Sequence, residues 1–311
     1  MRILAIALAF AALGESAAAA DLTPEQAAYV EKIKRIRDSL HPQTGDVTVP
    51  GAHITFHLGT AYYYLSPEDA RKVLVEAWGN PANAGDTLGL IFPAATHFWD
   101  ARGWGAVVTY DAAGFVNSGE SSKSDFDKAE KAIRDNEDKA NEARRKAGAE
   151  PIHFVGWAQP PHYDAANHTM IWARDLQFGA SRVDTLNYDV RVLGRRGFVS
   201  LNMISTMPEL ATVSSAADQL RQTAQFQPGS RYEDFDSRTD KKAALGLAGL
   251  VAAGAGVALA QKFGLLAVVL LFLKKGAVVL VGGFAALSAW LRRLFNRPKA
   301  GPKASDPPVN P

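Results

Sequence analysis

The chain has 311 residues, with 34 lysines and arginines against 32 acids and a formal net charge of +2. So even a balance leaves no basis for nucleic-acid binding, and the absence of cysteine excludes thiol catalysis and thiolate metal sites. The length suffices to bury a core without disulfides, and the strongest apolar runs lie at the two ends.

Residues 1–20 read as a signal peptide. Arg2 supplies a short positive start, Ile3–Leu13 an apolar run, and Ala18-Ala19-Ala20 an A-x-A cleavage site before Asp21. The run falls well short of the roughly 20 residues that span a bilayer; the competing reading is an uncleaved interfacial helix.

Residues 21–240 form one exported block. "LTPEQAAYVEKIKRIRDSL" predicts a helix with Thr23 as N-cap, Pro24 at its first position and Gln26 closing a capping box. "DVTVPGAHITFHL" predicts two strands around a Pro-Gly turn. "SPEDARKVLVEA" predicts a short helix capped by Ser66 and stopped by "WGNP", and "TLGLIFP" and "GWGAVVTYD" predict further strands. From Ser124 to Gly148 the pattern is helical, with Phe126, Ala129 and Ile133 as an apolar stripe. Its later turns are charged on most sides and are expected to project into solvent.

"PIHFVGWA" and "HTMIWARDLQF" predict two strands joined by the connection "QPPHYDAAN", in which Pro161 is a candidate cis residue. On the second strand Met170, Trp172, Leu176 and Phe178 share a face that Arg174 interrupts, so Arg174 is expected near an edge or paired with an acid. "LNYDVRVLGRRGFVSLNMIS" predicts an antiparallel hairpin turning at Gly194–Gly197. Counting outward, Val192 faces Val199, Val190 faces Leu201, Tyr188 faces Met203, Asp189 faces Asn202 and Arg191 faces Ser200. The block therefore reads as an α+β fold, a mostly antiparallel sheet with packed helices, followed by a C-terminal transmembrane anchor.

Residues 243–294 form the hydrophobic anchor region, interrupted by Gln261, Lys262, Lys274 and Lys275. Gly276–Leu291, about 24 Å of helix, spans a bilayer if the flanking lysines and arginines snorkel. Arg292 and Arg293 end the anchor region, and Arg297, Lys299 and Lys303 follow in the tail, 295–311, which reads as disordered. Positive charge places that tail in the cytoplasm, and the cleaved signal places Asp21 outside, so the crossings number one or three. The expected location is the bacterial inner membrane with a periplasmic main domain.

"WGNP" (78–81), "VGWAQPPHYD" (155–164), "IWARDL" (171–176), "LNYDVRVLGRRG" (186–197) and the stretch from "RYEDFD" to "DKKAALGLAGL" (231–250) together resemble a bacterial family of predicted membrane-anchored proteins, domain of unknown function 2167. The resemblance runs from about residue 40 into the apolar segment. Ala82 departs from it, and 117–125 lacks an acidic cluster. It implies the architecture and membrane attachment and supplies no chemistry.

Three kinds of chemistry compete. His53 and His57 would lie about 13 Å apart along a strand, and His153, His162 and His168 fit no compact zinc spacing; no metal or cofactor is expected. For hydrolysis there is no G-x-S-x-G elbow; His162 and Asp164 are the candidate base and orienter, and Asp164, Asp175 and Asp189 the acids from which a pair would be drawn. Arg195 and Arg196 of "GRRG" either meet phosphate or decorate a solvated turn. For binding, the candidates are Trp157, Tyr163, Asn187, Asp189, Arg191, Arg195 and Arg196, the polar strand face being either wet surface or a partner contact. Binding, as an interaction module of the cell envelope with lipid, envelope-protein or cell-wall partners, needs only features already present. A pocket gathering His162, Asp164 and Arg191 would favour a hydrolase instead.

Overall fold

The computed structural model of the chain describes residues 24–80, 87–100, 103–119, 123–146 and 150–254. The signal peptide, the Thr23 cap and residues 255–311 lie outside the described residues. Helix α1 (Pro24–Asp38) begins at its proline. Strands β1 (Asp46–Val49) and β2 (Ile54–His57) pair antiparallel across a 3₁₀ turn at Pro50–Ala52. After β3 (Tyr62–Leu65) comes α2 (Pro67–Arg71), capped as expected: Ser66 Oγ accepts from the Asp69 N–H at 3.3 Å. The helix continues as a π-helical turn, Lys72–Ala77, and stops where Gly79 takes φ 72. Then follow β4 (Gly89–Pro93), β5 (Gly105–Asp111), α3 (Lys123–Lys146), β6 (Ile152–Asp164) and β7 (Thr169–Phe178). The order ends with β8 (Thr185–Leu193), β9 (Phe198–Thr206), α4 (Leu210–Thr223), β10 (Ala224–Phe226) and α5 (Leu247–Gly254).

Seven strands form one antiparallel sheet, β3-β4-β5-β9-β8-β7-β6, and three form a second, β1-β2-β10. The β8–β9 register is the one that alternation dictates: Val192 faces Val199, Asp189 faces Asn202 and Tyr188 faces Met203. The Gly194 N–H donates to the Gly197 carbonyl at 2.8 Å and closes the turn.

One face of the large sheet packs against the small sheet and α4, burying Ile54, Phe56, Tyr188, Val190, Leu201, Val213 and Leu220. The opposite face is covered in two patches. Over β3 and β4, α1 and α2 enclose Leu65, Leu90 and Phe92; over β7 to β9, α3 and α5 enclose Met170, Trp172, Leu193 and Phe198. Each large apolar side chain so buried contributes roughly 1.5–3 kcal/mol.

Two local expectations are corrected. "QPPHYD" is not a connection: β6 runs through it to Asp164, with register shifts between Phe154 and Gly156, Trp157 and Gln159, and Gln159 and His162. Proline lacks the ladder donor, and it is accommodated because β6 is the edge strand and is bulged there; Pro161 is trans. Nor does α3 project into solvent. Buried Asn141 donates to the Ile152 carbonyl at 2.9 Å and accepts from its N–H at 2.8 Å, while Glu137 accepts from the Phe154 N–H at 3.0 Å. Charged turns can lie on a sheet edge when their polar atoms cap its backbone.

Among the described residues no helix is long and apolar enough to cross a membrane. The start of the apolar run is instead α5, with Leu247, Leu250 and Val251 buried against the sheet.

Candidate functional site

Strand alternation divides the "PPHYD" end of β6. His162 and Asp164 pair with Ile171 and Thr169 and share the face of α4, while Tyr163 pairs with Met170 and belongs to the face of α5. Arg191 also pairs with Met170, across β7, so it lies on Tyr163's side of the sheet. The three residues that would make a hydrolytic pocket are thereby sent to opposite faces.

On the α4 face, no hydrogen bond or ion pair joins His162 to Asp164. His162 is exposed, and its Nδ1 accepts from the Gln159 amide at 3.4 Å. Asp164 closes the β6–β7 turn, accepting from the Ala166 N–H at 3.0 Å and the Asn167 amide at 2.7 Å, and pairs with Arg221 of α4 at 3.1 Å. The Asn167 hydrogen bond, then Arg221, outweigh burial and hold its carboxyl below the usual range. A carboxylate so engaged is a turn lock. Nearby, Tyr188 donates to Gln159 Oε1 at 2.8 Å.

On the α5 face a second cluster joins three remote segments. The turn residue His168 takes φ 48, a region that costs a non-glycine residue energy. It is held there by the Leu193 N–H, which donates to its carbonyl at 2.9 Å, and by stacking on Tyr232 at 4.1 Å. His168 Nε2 lies 2.8 Å from Glu233 Oε1, and its Nδ1 lies 3.1 Å from the Tyr163 hydroxyl. Burial pushes the Tyr163 phenol up. Tyr232 OH lies 3.0 Å from both the Val116 carbonyl and Ser118 Oγ, and accepts from the Ser118 N–H at 3.2 Å. Phe115 stacks on Phe235 at 3.8 Å. This cluster fastens "RYEDFD" to the end of the sheet.

Farther along the chain, Arg195 Nε pairs with Asp240 at 2.6 Å, and the Arg195 N–H donates to the Ser230 carbonyl at 3.0 Å. Arg196 is more exposed and stands 3.6 Å from the same carboxylate. The "GRRG" turn is therefore a dock for the chain's own later segment. Phe115 then bridges to Lys242: its N–H donates to the Lys241 carbonyl at 2.8 Å, and the Ala243 N–H donates back at 2.7 Å.

These ties lead into α5 and the polar face of β8. Asp189 and Arg191 are buried, neither wet surface nor open to a partner. Arg174 pairs with Asp189 at 3.1 Å, as its place in an apolar face requires, and donates to Asn187. Asn187 and Asn202 exchange amide hydrogen bonds at 3.0 and 3.1 Å and stay half-exposed. The Arg191 guanidinium lies between Trp172 and Phe198, 4.7 and 4.9 Å from the ring centres, and donates from Nη1 to the Leu250 carbonyl at 2.9 Å. Burial lowers its pKa, opposed by Asp189. Trp157 packs edge-on against Phe154 at 5.1 Å and is half-buried.

Sequence reasoning named Tyr163, Asp189, Arg191 and Arg195 but missed Ser118, His168, Tyr232, Glu233 and Asp240 as their partners. The signal for them was the "RYEDFD" motif itself, in which Asp234 and Asp236 meet nearby backbone while Tyr232 and Glu233 reach other segments. Among the described residues no group of three or more histidines or acids is placed to hold a metal ion. The chemistry on display is fastening.

A family model described as "Protein of unknown function (DUF2167)" matches residues 41–285. No curated protein matches. Among solved structures, the solution structure of cyanobacterial PsbP (CyanoP) from Synechocystis sp. PCC 6803 is similar at 8% identity with a TM-score of 0.33, covering 69% of this chain and 99% of that one.

Proposed function

The chain belongs to the DUF2167 family of unknown function, and from that premise we propose that it is a membrane-anchored exported domain acting as a binding or interaction module of the bacterial cell envelope. The observation that carries this reading is the docking of α5. The apolar run begins folded on the sheet, with Arg191 donating to the Leu250 carbonyl, so the first residues of the expected anchor region belong to the domain's own core. His162 and Asp164 lie on the face opposite Arg191, which weighs against the alternative of an envelope hydrolase using that pair.

The same packing favours one crossing. Three crossings need Ala243–Ala260 as a span, and Leu247, Leu250 and Val251 of that stretch are buried in the domain. Gly276–Leu291 is then the span, with the main domain in the periplasm, the basic tail in the cytoplasm, and an envelope protein or cell-wall material as partner beside the lipid. Gentle detergent solubilisation followed by pull-down tests the module: a reproducible envelope component should co-purify, and its consistent absence removes the binding reading. Protease added to spheroplasts tests the topology; digestion of the tail from outside overturns it.

A further inference from the structure

Helix α1 crosses the π-helical turn after α2, and Ile33 and Ile36 pack on Val73 and Leu74. Beside that contact lies a shallow groove of about 340 Å³ lined by Lys32, Arg35, Ile36, Ser39, Lys72 and Glu76. The basic residues of α1 are sorted with respect to it. Lys34 pairs with Glu31 at 2.8 Å and Arg37 with Asp38 at 2.7 Å. Lys32 and Arg35, one helical turn apart and both facing the groove, make no ion pair or hydrogen bond among the described residues. Across from them Lys72 is fixed in place: Nζ donates to Asp69 at 2.8 Å and to the Ser39 carbonyl at 3.1 Å and stands 3.7 Å from Glu68, so part of its charge is already met by carboxylates, and Asp69 is itself buried. Glu76 is the one acid in the lining.

We propose that this groove binds a phosphate group, with Arg35 as the planar two-pronged donor, Lys32 as a mobile charge, and Lys72 as a pre-positioned one. A guanidinium matches two phosphate oxygens at once, whereas ammonium groups act as point charges around it. The shape is open and shallow, as a headgroup or free anion requires and a buried cofactor does not. Phosphate recognition here goes beyond the anchored-module reading and does not depend on it; only a lipid source would link the two.

The full chain in an uncharged detergent supplies the test. Its thermal midpoint is followed while inorganic phosphate, short-chain phosphatidylglycerol or short-chain phosphatidylcholine is titrated at low salt. A midpoint that rises with phosphatidylglycerol alone supports the proposal with lipid as the source; a rise with inorganic phosphate supports it with a free anion as the source. In either case K32Q/R35Q should weaken the apparent affinity at least tenfold, and E76Q should tighten it about threefold. All three substituted positions lie at the surface, so the unliganded midpoint should stay put. No rise with either anion, or a rise that K32Q/R35Q leaves unchanged, overturns the assignment.

Discussion

Arg191 on strand β8 reaches 59 residues along the chain to donate to the Leu250 carbonyl at 2.9 Å, flanked by Trp172 and Phe198. Its hydrogen bond is charge-assisted and buried, a kind worth roughly 1.5–3 kcal/mol, yet its guanidinium is desolvated at a comparable penalty. The Nε of Arg191 and the Nε1 of Trp172 are buried without a hydrogen-bond partner among the described residues. The net stabilisation is therefore modest, and the gain is positional.

Arg191→Met separates these two effects. Global stability of the full chain in detergent should fall by less than about 2 kcal/mol, while amide exchange across Leu250–Gly254 accelerates about tenfold for each 1.4 kcal/mol of tethering lost. Unchanged exchange in α5 would show that apolar packing alone holds the helix. Asp189→Asn removes the carboxylate beside Arg174 and Arg191, and should cost about 3–5 kcal/mol in a denaturant titration.

Tyr232→Phe keeps the stack on His168 and deletes the hydroxyl that meets Val116 and Ser118. A loss of about 1–2 kcal/mol is expected, accompanied by easier proteolysis within residues 231–242. Equal loss with protease resistance intact would mean that the "RYEDFD" segment is secured elsewhere.

Two glycines form a matched pair. A Cβ on Gly197 would overlap the Asp111 carbonyl oxygen, whereas one on Gly156 meets nothing within 4 Å. Gly197→Ala should destabilise by about 1–3 kcal/mol through forced backbone movement, and Gly156→Ala should shift stability by under about 0.5 kcal/mol. Similar midpoints for the two variants would remove the steric explanation.

His57 gives the small sheet a pH dependence. Its Nδ1 lies 2.9 Å from Asp46 and its Nε2 3.1 Å from Gln225, two acceptors that favour a doubly protonated ring. The hydrogen bond to Asp46, then that to Gln225, raises its pKa in the folded chain. The resulting stabilisation is complete below the ordinary histidine value and is lost as pH rises through the raised one. Asp240 runs the other way. Held low chiefly by the Arg195 hydrogen bond, it stabilises above the ordinary carboxylate value, and that contribution disappears on acidification. Midpoints measured across pH should show both slopes, with His57→Gln flattening only the upper one.

Legibility followed range. The β8–β9 register was readable from Val192 and Val199 outward because a short turn and period-two alternation constrain each other. Ser66 and Pro24 announced helix starts for the same local reason. Asp189 and Arg191 misled, since polarity on a strand reads as surface when the cover, α5, lies about sixty residues away. Pro160 and Pro161 read as a break because sequence does not reveal that β6 is an edge. The fastening of Tyr163 to His168, Tyr232 and Glu233 depends on three segments whose meeting only the topology decides.

The irregular course of β6 bears on how copies of this protein treat one another. Three register shifts and two adjacent prolines leave its outer rim without an evenly spaced row of donors and acceptors, and Arg134 occupies the carbonyls of Phe154 and Val155 at 3.3 and 3.4 Å. A neighbouring strand arriving there finds nothing to zip onto. Copies brought close together would then not extend the sheet through this rim, so the strand that looks least well formed closes off one route to edge-to-edge association.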